Sequence, residues 1–134
     1  MRIGNPGVAI DTAAEENGKW FDAPAEWGGI SVCVASAFSV QYQAATEASK
    51  LRDEKDPSRR EAIVADLVAS KLIRGWRGLR DVNGSDIPYS TDAAVAICRN
   101  RDNRRFLMWV MDVAAGTRSF DAEVAAVAEA AEKN

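Results

Sequence analysis

The sequence predicts a mainly α domain of four to five helices behind a short N-terminal β-hairpin, with α+β as the alternative description. Two changes of pattern and one composition argument lead there. In "ISVCVASAF", residues 30–38, Ile30, Val32 and Val34 alternate with Ser31, Cys33 and Ala35, the period of a strand. From Phe38 onward the apolar spacing becomes three and four, the period of a helix. The 134 residues, 47 % apolar and 28 % charged, suit one soluble domain with a real core.

The chain divides into an arm, residues 1–17, and a globular unit, residues 18–134. The arm mixes Gly, Asn, Pro, Ala and Glu without periodicity and is expected to be flexible. "GKWF", "DAPAEWGG" and the alternating run read as strand, turn and strand, a hairpin over 18–36. Gly28 and Gly29 suit its turn, and Trp20 and Trp27 are placed to cover one side. The helical part, 38–132, opens with Phe38, Tyr42, Ala45 and Ala48 at helical spacing and breaks at Asp56-Pro57. Ser58, with Glu61 three residues on, has the spacing of a capping box. In "RREAIVADLVASKLI" a stripe of Ile63, Val64, Leu67, Val68 and Leu72 follows, and Gly75 is expected at its C′ end.

Residues 72–90, "LIRGWRGLRDVNGSDIPYS", read as a structural joint. Trp76 plugs the core between Gly75 and Gly78, Asn83-Gly84 reverses the chain, and Pro88 stiffens the entry to the next helix. Ser90 or Thr91 caps "DAAVAICRN", which buries Val95 and Cys98. Asp102 or Asn103 restarts helix in "RRFLMWVMDVAA", and Gly116 stops it. Ser119 and Asp121 are expected to start a last helix with a stripe of Val124, Val127, Ala128 and Ala131.

The composition excludes much chemistry. With no histidine, triads, Cys-His pairs and HExxH sites are ruled out. Cys33 and Cys98 form no CxxC pair and are expected as small buried hydrophobes. No phosphate-binding glycine motif is present, so no metal or cofactor and no enzyme activity are expected. No apolar run approaches the ~20 residues needed to cross a bilayer, and the first residues lack a signal peptide pattern. The expected compartment is the cytoplasm. The net charge of −3 is uneven: residues 74–105 carry seven arginines against four aspartates, while residues 1–30 and 106–134 are each −3.

The order of a helix, Gly75-Trp76, Gly78-Leu79, Asp81, Gly84 and Ile87-Pro88-Tyr89-Ser90, then a short helix and an aromatic-rich helix, resembles the tail assembly chaperones of long-tailed phages and prophages. The resemblance covers about residues 18–120 and rests on turn and core positions. It implies a non-enzymatic protein of the bacterial host cytoplasm. Such a protein binds the long helical tape measure protein, helps tail tube protein polymerise around it and is absent from the finished virion. Relatives of that kind often have a frameshifted, extended form.

Two surfaces are candidates for partner binding. The first is Met108, Trp109 and Met111, within six consecutive apolar residues that cover most of a helix circumference. Their occupant would be a partner helix with an i, i+3, i+4, i+7 stripe. The second is the arginine cluster Arg99, Arg101, Arg104 and Arg105, which suits an acidic neighbour and makes homo-oligomerisation through the acidic chain ends reasonable. A ring-forming virion component and a small nucleic-acid-binding protein are the alternatives. The negative total charge and the lack of interleaved aromatics speak against nucleic acid.

Overall fold

The computed structural model describes residues 1, 3–4 and 7–122. Among the described residues the architecture is α+β: a three-stranded antiparallel sheet whose strands neighbour one another in chain order, with five α-helices. This corrects the expectation of a mainly α domain with an isolated hairpin. The hairpin strands β1 (Lys19–Asp22) and β2 (Ser31–Val34) are joined by a third, β3 (Ile73–Arg77). That strand is the first part of the expected joint. Gly75 therefore lies inside a strand paired with Cys33, not at a helix end.

The first segment is also more ordered than its composition suggested. Thr12–Asn17 form α1, with the Asp11 side chain accepting from the Ala14 N–H. Glu16 then accepts the Val40 N–H at 2.6 and 3.1 Å, at the start of α2 (Val40–Ala48). Ser39 caps the same helix from a buried position, accepting from the Tyr42 N–H at 3.3 Å. Replacing Ser39 with alanine is expected to cost about 1 kcal/mol, read as a lower urea midpoint at unchanged m-value.

Helix α3 (Pro57–Leu67) starts one residue before the expected cap. Pro57 occupies its first turn, where a missing N–H costs nothing, so Ser58 lies inside the helix and the capping box does not form. The helix then widens into a π-helical stretch, Val68–Leu72, that buries Val68, Ala69 and Leu72. The chain passes from there straight into β3.

A register shift in the β2/β3 pairing sets the faces of the sheet. Val34 pairs with Ile73 and Val32 with Trp76. Ile73 and Trp76 are three residues apart, so a regular strand would send them to opposite faces. The bulge supplies the extra residue that lets both reach the core. The opposite face carries Trp20, Cys33 and Gly75 in one row. The edge of the Trp20 ring lies over Gly75, and the Arg77 guanidinium lies 4.0 Å from the ring centroid. Trp27 packs on the core side, so the two tryptophans do not share a face.

Over the core face lie the π-helical stretch, α4 (Thr91–Arg99) and α5 (Arg104–Ala115), which contribute Leu72, Ala94, Cys98, Phe106, Val110 and Ala114. Ser90 caps α4, with its side chain accepting from the Ala93 N–H at 3.0 Å. A 3-10 turn, Arg101–Asn103, leads into α5, which ends at Gly116. The expected helix start at Ser119 does not form. Residues 117–120 turn, Phe120 packs edge-on against Phe21, and Asp121 pairs with Ile10. The stripe of Val124, Val127, Ala128 and Ala131 lies outside the described residues.

Candidate functional site: a groove between α3 and α5

The residues at the joint knit β3 to the loop that follows. The Trp76 indole N–H donates to the Ile87 carbonyl at 2.6 Å, and Tyr89 stacks edge-on against Trp76 at 5.0 Å while its hydroxyl donates to the Ile73 carbonyl. The turn at Asn83-Gly84 is fastened by Asp81, whose carboxylate accepts the N–H groups of Asn83 and Ser85. Only Gly84 of the pair has positive φ. Pro88 lies between Ile87, whose carbonyl accepts from Trp76, and Tyr89, two residues before the α4 cap. All seven joint residues thus sit in or beside β3 and its return loop, away from the concavity between α3 and α5.

That concavity is a groove of about 740 Å³ lined by α3, α5 and residues 98–101. Its depth comes from side-chain size. Ala62 and Ala65 on α3 and Cys98 on α4 are small, while Leu107 and Met108 on α5 stand opposite. Met108 is 54 % exposed. Arg60, Arg99, Arg101 and Arg104 form the rim.

Three of the four rim arginines are paired with carboxylates. Arg99 forks onto Asp66 at 2.7 and 2.6 Å, and Arg101 and Arg104 share one oxygen of Glu61, each at 3.4 Å. Arg60 donates to the carbonyls of Leu51 and Glu54. Four guanidinium groups thus face two carboxylates, and the rim stays net positive. All these pairs are exposed, so each contributes little stability. Their effect is to fix the arginines in position around an apolar floor.

The structure separates the residues expected to act together. Met108, Arg101 and Arg104 line the groove. Trp109 is turned about 100° from Met108 around the helix and packs edge-on against Trp27 at 6.0 Å, on the margin of the core. Met111 is half-buried against the core, and Arg105 is exposed outside the groove lining. Glu61, Asp66 and the small residues of α3 were missed. The one visible signal was Ala62 and Ala65, two small residues three apart on α3.

Both thiols are free and buried. Burial pushes the Cys98 thiol up to about 12, with the nearby Asp66 carboxylate adding to the shift. Burial also raises Cys33, against the opposing pull of Arg74 and Arg77. In the unfolded chain a thiol ionises near pH 9, while folded Cys98 keeps its proton until about pH 12. Its contribution is therefore complete below about pH 9 and is lost as pH rises toward 12, with a slope of at most about 1.4 kcal/mol per pH unit. Cys98→Ala is expected to show a shallower alkaline loss of stability in urea titrations between pH 8 and pH 10. Among the described residues, no group of three or more Cys, Asp and Glu side chains is arranged to hold a metal ion, and no helix is long and apolar enough to cross a membrane.

No curated protein and no solved structure matches the chain. The family model described as YdaY prophage protein matches residues 34–134, from the end of β2 through the groove and beyond it. With three quarters of its length inside that match, the chain belongs to the YdaY prophage protein family.

Proposed function

We propose that this prophage protein is a non-catalytic tail assembly chaperone of the host cytoplasm. Its α3/α5 groove would hold an amphipathic helix of the tape measure protein while tail tube protein assembles around it. The observation that carries this reading is the groove: an apolar floor with an exposed methionine, ringed by arginines, three of them paired with carboxylates. Such a floor accepts a partner's apolar stripe, methionine adapts to its shape, and the rim selects acidic flanks. Membership of a prophage family and the Gly75–Ser90 pattern support the tail-assembly context. Pairing of Arg99, Arg101 and Arg104 with carboxylates leaves less free positive charge for a phosphate backbone.

The test is co-expression with the tape measure protein encoded by the same prophage. The wild-type chain is expected to raise its soluble fraction and to co-purify with it, and to be missing from finished particles. Met108→Asp is expected to weaken the complex about tenfold or more, because a buried methionine contributes ~1.5–3 kcal/mol. Met108 is exposed, so the melting temperature of the variant should match wild type. An unaltered complex with Met108→Asp would move the partner away from this groove. Retention of the protein at fixed copy number in purified virions would replace the chaperone reading with a structural one.

A further inference from the structure

We infer that Arg101 and Arg104 together form the acceptor for one carboxylate of the docked helix, and that Glu61 fills this acceptor in the free protein as an internal competitor. The inference rests on reading the groove as a helix-binding site and adds which of its side chains choose the partner. The four rim arginines differ in how fully they are used. Arg99 places Nε and a terminal nitrogen on the two oxygens of Asp66 at 2.7 and 2.6 Å, a closed fork. Arg60 is turned to backbone and donates to the carbonyls of Leu51 and Glu54 at 2.7 and 2.9 Å. Arg101 and Arg104 instead reach a single oxygen of Glu61, each through one terminal nitrogen at 3.4 Å. A charge-assisted bond of this kind closes to about 2.7–2.9 Å. Two cations thus share one carboxylate through one long contact each, and one positive charge in the trio is unmatched.

Position defines what this pair can take. Arg104 stands three and four residues before Leu107 and Met108, so the three share one face of α5. Arg104 and Met108 are about 6 Å apart along the helix axis. Both line the groove, with Ala62 and Ala65 on the other side. A partner helix that lays its apolar stripe on Met108 therefore carries, one turn along its own surface, a residue level with Arg104. A glutamate or aspartate there meets both guanidinium groups. A row of phosphates would meet Glu61 and Asp66 beside the same arginines, which favours an isolated carboxylate. The side chains of Glu61, Arg101 and Arg104 are each more than half exposed, so their pairing is weak enough to exchange. Glu61 keeps the two arginines in place without saturating them, and the partner's carboxylate has to displace it.

The experiment uses the full chain with methyl-13C methionine and two synthetic amphipathic peptides. Both carry leucine at i, i+3, i+4 and i+7. One has glutamates flanking that stripe and the other has glutamines. The Met108 methyl shift is titrated with each. The glutamate peptide is expected to bind about fivefold tighter, the upper range for one exposed ion pair. Arg101→Gln and Arg104→Gln should each remove most of that gap. Glu61→Gln should tighten the glutamate peptide by about three- to fivefold and leave the glutamine peptide unchanged. Glu47→Gln makes the same charge change on α2, outside the groove lining, and should alter neither affinity by more than about twofold. Equal affinity for the two peptides, no gain in Glu61→Gln, or a gain matched by Glu47→Gln overturns the inference and leaves the groove a helix site. No Met108 shift with either peptide removes the groove reading and this inference with it. A short single-stranded DNA that competes with the glutamate peptide for Arg101 and Arg104 also overturns it, since the site then takes phosphate.

Discussion

Trp76→Ala is expected to lower the unfolding free energy by about 3–5 kcal/mol, which for a domain with a typical 5–15 kcal/mol of stability leaves it close to unfolding at 37 °C. Two losses combine. The indole is 7 % exposed and packs with Val32 across the sheet, against the core helices, and edge-on to Tyr89, so its removal opens a large cavity. Its N–H is the donor to the Ile87 carbonyl at 2.6 Å, the bond that holds the return loop onto β3. Trp76→Phe separates the two losses. It keeps most of the apolar volume and leaves that carbonyl without its donor, for about 1–3 kcal/mol. Urea unfolding followed by far-UV circular dichroism measures both variants. If Trp76→Ala costs less than Trp76→Phe, the packing account of this residue fails.

Gly78→Ala is expected to be the next most damaging single change, at about 2–4 kcal/mol, combining left-handed strain of about 1–3 kcal/mol with a backbone collision. Gly78 has φ of +75°, and a Cβ there would sit 2.5 Å from the carbonyl oxygen of Gly29. Neither atom is on a flexible side chain, so relief requires moving the β1–β2 turn or the end of β3. Two controls isolate the causes. Gly84→Ala has φ of +82° but open space around it, so it carries the strain alone, and it should cost roughly 1 kcal/mol. Gly75→Ala has ordinary backbone geometry, and its nearest contact is 3.5 Å from the Trp20 ring, so it should be nearly neutral. Melting temperatures in the order Gly75→Ala, Gly84→Ala, Gly78→Ala, from highest to lowest, are the expected result. A Gly78→Ala protein as stable as Gly84→Ala would show that the Gly29 contact relaxes freely.

These two residues also show how far the sequence could be read. Trp76 between two glycines, followed by Asn83-Gly84 and Pro88, marked a joint because glycine and proline have narrow backbone roles. Its form was misread. "KLIRGW" continues an apolar helical stripe, and nothing local says that the stripe ends at Leu72. Only pairing with β2 makes Ile73–Arg77 a strand. The helix inside the arm was not legible for a related reason. Thr12–Asn17 is too short to be a stable helix alone, and it gains order by placing Glu16 over the start of α2 and the Glu15 carbonyl against Ser36. The candidate site was legible in part. An all-apolar run at 106–111 signalled that α5 had more apolar surface than a small core can take. Which of its residues stayed outside depended on what α3 and the β1–β2 turn offered. Trp27 covered Trp109, and the alanines of α3 left Met108 open.

The sequence alone determined the local features: the β1–β2 hairpin, the cap of α4, the stop at Gly116 and the basic middle between acidic ends. Each depends on neighbours within a few residues, or on composition. Tertiary structure decided the third strand, the bulge that brings Ile73 and Trp76 to one face, and the groove with its carboxylate-held arginines. These join positions tens of residues apart, such as Arg101 with Glu61 and Val32 with Trp76. Such contacts form only when burying both partners outweighs the entropy of closing the loop between them, a balance that no local pattern records.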